Sequence, residues 1–151
     1  MKILFVCHGN ICRSPMAEFV LRKMAMDAGL ESEFEIDSAA VSTEETGNDM
    51  YPPAKRKLTE KGVPFTHRAA RQITRHDYDY FDHIILMDRS NQRWLRHLIG
   101  DDSEGKVSLL MEWVGESRDV ADPWYTGDFE ATYCDVVAGC KAIIAHFFEK
   151  K

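Results

Sequence analysis

Cys7 and Arg13 bracket the segment His8-Gly9-Asn10-Ile11-Cys12, and Ser14 and Pro15 follow directly. A thiol, a guanidinium and turn-forming residues in so short a stretch suit nucleophilic chemistry on an anion. Gly9 and Asn10 are residue types that accept positive φ, so successive backbone N–H groups can turn inward as an anion nest. A helix starting here adds free N–H donors and the positive end of its dipole. Arg13 adds a planar fork that matches two phosphate oxygens. Each of these features favours thiolate over thiol at Cys7, and a thiolate facing a bound phosphate is an in-line nucleophile. Attack would expel an alcohol and leave a phosphocysteine, with the N–H groups and Arg13 stabilising the equatorial oxygens.

The elements that must hold such a loop are legible on both sides of it. Residues 2–6 are apolar without alternation, which predicts a strand covered on both faces. Pro15 suits the first helical position, with Ser14 as the cap. Met16, Phe19, Val20 and Met24 then fall on one stripe, and Gly29 is a stop signal. Further strands are expected at 34–41, 82–87 and 107–110, and helices at 54–61, 89–98 and about 128–148, with a polar, turn-rich stretch from 42 to 53. Strands alternating with helices imply right-handed crossovers and an α/β fold on a parallel sheet. In such sheets ligands collect beyond the carboxyl ends of the strands, where the Cys7 loop emerges.

Composition narrows the function classes. A chain of 151 residues fits a single domain spanning 1–151, and 44% apolar with 29% charged residues argues against disorder. No apolar run approaches the ~20 residues that cross a bilayer. The N-terminal apolar stretch is too short for a signal-peptide core and lacks a small-residue cleavage site, so a cytoplasmic location is expected, with leaderless export left open. Cys7, Cys12, Cys134 and Cys140 are too few for a disulfide scaffold and lack zinc-type spacing. No Gly-Lys-Ser/Thr follows the loop, which excludes a Walker-type site. The net charge of −6 argues against bulk nucleic-acid binding and leaves any attraction for phosphate to a local site.

The words Val6-Cys7-His8-Gly9-Asn10-Ile11-Cys12-Arg13-Ser14-Pro15 and Ala121-Asp122-Pro123-Trp124-Tyr125 resemble those of the low-molecular-weight protein tyrosine phosphatases. Asp37-Ser38-Ala39, His67-Arg68-Ala69-Ala70-Arg71-Gln72 and Met87-Asp88-Arg89-Ser90-Asn91 extend the match in the family's order over nearly the whole chain. The resemblance implies a flavodoxin-like, four-stranded parallel sheet of order 2-1-3-4 with helices on both faces. It implies no metal or organic cofactor, and hydrolysis of phosphotyrosine-containing proteins or aryl phosphates through a cysteinyl-phosphate. It further implies inhibition by phosphate-like oxyanions and a monomer or weak dimer. Cys7 matches the nucleophile, Arg13 the phosphate-binding arginine and Asp122 the general acid. Asn10, Ser14, Ser38 and His67 match a network that shapes the loop, in which Ser14 also donates to the thiolate. Asp88 joins this support without an assignable partner, and Cys12 matches a second cysteine that forms a reversible disulfide with the nucleophile.

The chemistry itself also demands an acid, because a tyrosine leaves as a phenolate whose conjugate acid has pKa ~10. Asp122 suits this role, since Pro123 stiffens its loop. Trp124 and Tyr125 would wall a flat slot about one ring deep that selects aryl phosphates over phosphoserine. Glu44, with Glu45, stands where some relatives place an aromatic wall residue, which predicts a preference for neutral or basic flanks on the substrate. His8 replaces the apolar or small residue of many relatives. Ile11 stands where relatives that act on phosphoarginine carry Thr, which favours phosphotyrosine. Three rivals remain: a thiol-relay arsenate reductase, for which residues 80–100 lack the needed cysteines; a non-catalytic module for phosphate or flavin phosphate; and redox sensing through Cys7 and Cys12.

Overall fold

The structure is a computed structural model that describes residues 1–148; residues 149–151 of the expected domain lie outside the described residues. Strand β1 (Lys2–Cys7) occupies the middle of the sheet because its side chains are apolar on both faces: Ile3, Leu4, Phe5 and Val6 have no exposed surface. It pairs in parallel with β2 (Glu35–Ala40) on one side and β3 (His83–Leu86) on the other. Strand β4 (Val107–Leu109) pairs in parallel with β3, so the order is β2-β1-β3-β4.

Alternation along β1 divides the core in two. Leu4 and Val6 face Ile84, Leu86, Leu95 and Ile99, beneath helices α3 (Arg75–Tyr80) and α4 (Arg89–Ile99). Ile3, Phe5 and Cys7 face the opposite layer, with α1 (Arg13–Asp27), α2 (Pro52–Glu60) and, at the end of the chain, α6 (Phe129–Phe148). A short helix α5 (Pro123–Thr126) precedes α6. The single-domain α/β reading and the strand order expected for this sheet both hold.

Local differences have local causes. Helix α1 begins at Arg13, two residues before Pro15, so Ser14 is not its cap; Cys12 holds the cap position without a side-chain bond. The six-residue α3 was not expected, since its composition carries no apolar period. A capping box between Thr74 and Asp77 starts it. Helix α6 is long and apolar enough, by length and composition, to cross a membrane. Within the fold, its Val136, Cys140 and Ile143 are buried in the core, and the Cys140 Sγ lies 3.7 Å from the Ala17 carbonyl oxygen of α1.

Gly139 lets α6 pass close to the 3₁₀ turn at Leu110–Val114. A Cβ there would stand 2.4 Å from both Cγ and Cδ1 of Leu110. Gly139→Ala gains roughly 1 kcal/mol of helix propensity but overpacks a side chain at its branch point, at a cost of about 1–3 kcal/mol. The expected outcome is a lower denaturation midpoint in urea; an unchanged or higher midpoint would mean that Leu110 moves aside freely.

Candidate active site

Beyond Cys7 the backbone turns back on itself within the grip of the strand-β2 side, where Val41 N–H donates to the Cys7 carbonyl (3.0 Å) and Ser42 N–H to the His8 carbonyl (3.1 Å). Asn10 takes the left-handed conformation (φ 60°), and among the described residues it is the only non-glycine to do so. Gly9 does not use its freedom of φ. A Cβ there would make ordinary contact with Glu45 Cγ at 3.4 Å.

This turn aims the Asn10 N–H at Cys7 Sγ (3.3 Å), and Ser14 Oγ lies 3.0 Å from the same sulfur. The Asn10 amide donates to Ser14 Oγ (2.8 Å) and Ser38 Oγ (3.0 Å). With its oxygen accepting from Asn10, Ser14 keeps its hydroxyl hydrogen for the sulfur, its alternative acceptor being the Ala39 carbonyl at 3.5 Å. Ser38 passes its own hydrogen to Glu18 Oε1 (2.6 Å), and Glu18 is paired with Arg22 at 2.8 Å. Burial holds the Glu18 carboxyl above its ordinary value, against the Ser38 bond and the Arg22 charge. Glu18 escapes a reading of the sequence because Glu18–Arg22 has the spacing of an ordinary surface pair.

Arg13 is 2% exposed, and its guanidinium meets two carboxylates and a carbonyl. Nη1 donates to Asp88 Oδ2 (2.7 Å) and the Val120 carbonyl (2.8 Å), and Nη2 to Asp122 Oδ2 (3.3 Å). Burial would lower its pKa, but the negative charges of Cys7, Asp122 and Asp88 raise it above the ordinary arginine value. Both aspartates do double duty as helix caps. Asp88 Oδ1 accepts from Asn91 N–H (2.8 Å) at the start of α4, and Asp122 Oδ1 from Trp124 N–H (3.0 Å) at the start of α5. Asp88 thus gains the partner that the sequence leaves unassigned.

Cys7, Arg13 and Asp122 line one cavity of about 120 Å³, together with His8, Gly9, Ile11, Cys12, Glu44, Glu45, Trp124 and Tyr125. Trp124 leans on Tyr51 (ring centroids 4.8 Å apart), a backing residue not foreseen from the sequence, while Tyr125 is 83% exposed. His8 Nε2 lies 3.2 Å from Glu44 Oε2, and its ring meets Trp94 edge-on at 5.5 Å. Burial, then the charges of Cys7 and Asp122, push the Cys12 thiol up; all four cysteines are free. Among the described residues no group of three or more His, Cys, Asp or Glu has a metal-binding arrangement.

The expectation for His67 is corrected. Its side chain is 84% exposed and bonds Asp49 Oδ2 at 3.1 Å, away from the loop. The next residue, Arg68, reaches the loop instead: its Nη2 donates to Asn10 Oδ1, which also accepts the Arg71 N–H at 3.3 Å. Nothing in the polar, aperiodic stretch around 67–71 distinguishes the two phases.

The family profile described as low molecular weight phosphotyrosine protein phosphatase matches residues 2–151. The chain is 38% identical over 153 aligned residues to the low molecular weight protein-tyrosine-phosphatase YfkJ of Bacillus subtilis, covering 100% of this chain and 98% of that protein. It is 42% identical to a low molecular weight phosphotyrosine protein phosphatase of Gallus gallus, covering 95% of this chain and 93% of that one. The crystal structure of YfkJ superposes with a TM-score of 0.94, covering 100% and 96%. That of a drosophila arginine phosphatase superposes with 0.90 at 29% identity, covering 100% of both chains.

Asp88→Ala removes a charge partner of the buried Arg13 and the cap of α4 together, so a stability loss of about 3 kcal/mol or more is expected. Asp88→Asn, which still caps, should lose less. Urea denaturation of both variants tests this; equal losses would mean that the cap contributes nothing.

Proposed function

Since the chain belongs to the low molecular weight phosphotyrosine protein phosphatases, hydrolases that act on phosphotyrosine, we propose that it cleaves the ester in two steps through a phosphocysteine on Cys7. The observation that carries this reading is the convergence of Cys7, Arg13 and Asp122 on one cavity. Cys7 Sγ attacks phosphorus, the bond to the phenolic oxygen breaks, and Asp122 protonates that oxygen. The carboxylate left behind takes a proton from water as water attacks the phosphocysteine, which releases phosphate and the thiolate. A phosphate dianion beside a carboxylate favours the carboxylate's protonated form, so substrate itself helps to ready the acid. Arg13 Nη2, which bonds Asp122 in this structure, supplies a donor that can turn to a phosphate oxygen.

The partner is a phosphotyrosine-bearing protein or an aryl phosphate, held between Trp124 and Tyr125 with Ile11 below. Phosphate-like oxyanions inhibit by occupying the same cradle, and the chain works as a monomer or weak dimer. Once a peroxide oxidises the Cys7 thiolate to a sulfenic acid, the buried Cys12 is a redox guard whose sulfur displaces water from it to give a disulfide that a thiol reductant reverses. A nucleophile that must stay reduced fits a cytoplasmic location.

Turnover of phosphotyrosine, phosphoserine and phosphoarginine by wild type and two variants tests the mechanism. Phosphotyrosine should be preferred. Cys7→Ser should lose more than about 10⁴-fold in kcat yet still bind inorganic phosphate, and an active Cys7→Ser would end the proposal. Asp122→Ala should lose about 10²–10⁴-fold on phosphotyrosine and less on p-nitrophenyl phosphate, whose leaving group needs less proton donation. Faster turnover of phosphoarginine than of phosphotyrosine would move the substrate assignment.

Glu44 and Glu45 bring negative charge to the cavity mouth. Peptides with basic residues beside phosphotyrosine should exceed acidic ones by about threefold or more in kcat/KM at low salt. The Glu44→Gln, Glu45→Gln double variant should erase the difference; a preference that survives it must come from elsewhere.

A further inference from the structure

We propose that Arg68 is a positioning residue for the nucleophile: its guanidinium locks Asn10 into the left-handed turn that aims an N–H at Cys7, and it brings to that network a positive charge that does not titrate. The proposal rests on Cys7 as the nucleophile. Asparagine accepts the left-handed conformation, but a buried amide keeps one orientation only where its donors and acceptors are all met. Ser14 and Ser38 take both amide hydrogens of Asn10, which leaves the amide oxygen turned toward residues 68–71. There the Arg68 side chain and the Arg71 N–H are its donors. Without Arg68, a fully buried oxygen keeps one 3.3 Å bond, and only the two serines on the other side of the amide still hold it.

The charge argument follows from what faces Arg68. Negative groups come from Glu18 on α1, Asp37 on β2, Asp49 in the 42–51 segment and Cys7 itself. Three of these already have other cations: Glu18 has Arg22, Asp37 has Arg71 and Asp49 has Lys55. Arg68 also anchors to the Asp49 segment, its own N–H donating to Asp49 Oδ1 (3.2 Å) and Nη1 to the Asn48 carbonyl (3.4 Å). Burial lowers its pKa, opposed by Glu18, Asp49 and Cys7, and an arginine remains charged at every working pH. A histidine in the same place would lose its charge as pH rises through neutrality.

The test is the rate of Cys7 alkylation by iodoacetamide from pH 5 to 9, followed on the Cys7 peptide by mass spectrometry, in wild type, Arg68→Met, Arg68→Lys and Arg68→His. In Arg68→Met the rate–pH curve should move to higher pH, with alkylation at pH 6 slowed about tenfold. Arg68→Lys should recover most of the pH 6 rate. Arg68→His should follow the lysine variant near pH 5.5 and the methionine variant near pH 8, since its imidazolium is present only below its titration. If Arg68→Met does not fold, the divergence of the lysine and histidine curves with pH decides. Superimposable curves for all proteins, or equal shifts in every variant, would overturn the proposal. Failure of wild type to hydrolyse phosphotyrosine would remove the phosphatase reading and leave the alkylation result to judge Arg68.

Discussion

Asn10 has no exposed surface, stands at φ 60°, and has all four hydrogen-bonding positions of its amide filled. A buried amide left one partner short loses about 1–3 kcal/mol, so the four partners must arrive together. Ser14 comes from α1, Ser38 from β2, and Arg68 and Arg71 from the segment that follows α2. The parallel register that sets Phe5 opposite Ser38 and Cys7 opposite Ala40 is therefore also what brings a serine within reach of the loop. The turn around Cys7 is a consequence of sheet pairing as much as of its own residues.

Arg13 poses the complementary problem of a buried charge. It is resolved by two aspartates of one design, each with one oxygen on the N-terminal N–H groups of its own helix and the other on the guanidinium. Breaking a buried ion pair is far costlier than forming one is rewarding, so the starts of α4 and α5 are tied to the Cys7–Arg13 loop. The capping bond also holds the Asp122 side chain at a fixed place on the cavity wall, which loop flexibility alone would not do.

Much of this was legible in the sequence, and what was missed shares a cause. The non-alternating run at 2–6 announces a central strand because burial on both faces leaves no polar position. The spacing along α4 announces a helix, while α1 is buried at every position from Arg13 to Leu21 and shows no clean stripe. Helix α3 has six residues, Arg-His-Asp-Tyr-Asp-Tyr, and no stripe to find; only the Thr74–Asp77 capping box marks it. Asp122 lines the cavity with Cys7 and Arg13, where its Pro-Trp-Tyr context directs attention. His67 and Arg68 cannot be separated, because an irregular segment has no period from which to read the direction of a side chain. The partner of Asp88 and the Val120 carbonyl are likewise invisible, since tertiary contacts over 75 and 107 positions leave no local trace.

The same distances bear on how the protein is made. Arg13 and Asp122 are 109 positions apart, and Val120 N–H joins the Met87 carbonyl at the end of β3 (2.9 Å). Contacts so remote close late, after loop entropy has been overcome elsewhere. A chain released as far as α2 carries Cys7, Asn10 and Arg13, but neither β3 nor the aspartates that hold the guanidinium. The Cys7 loop and its charged frame therefore come together only when the segment that carries Asp122 docks.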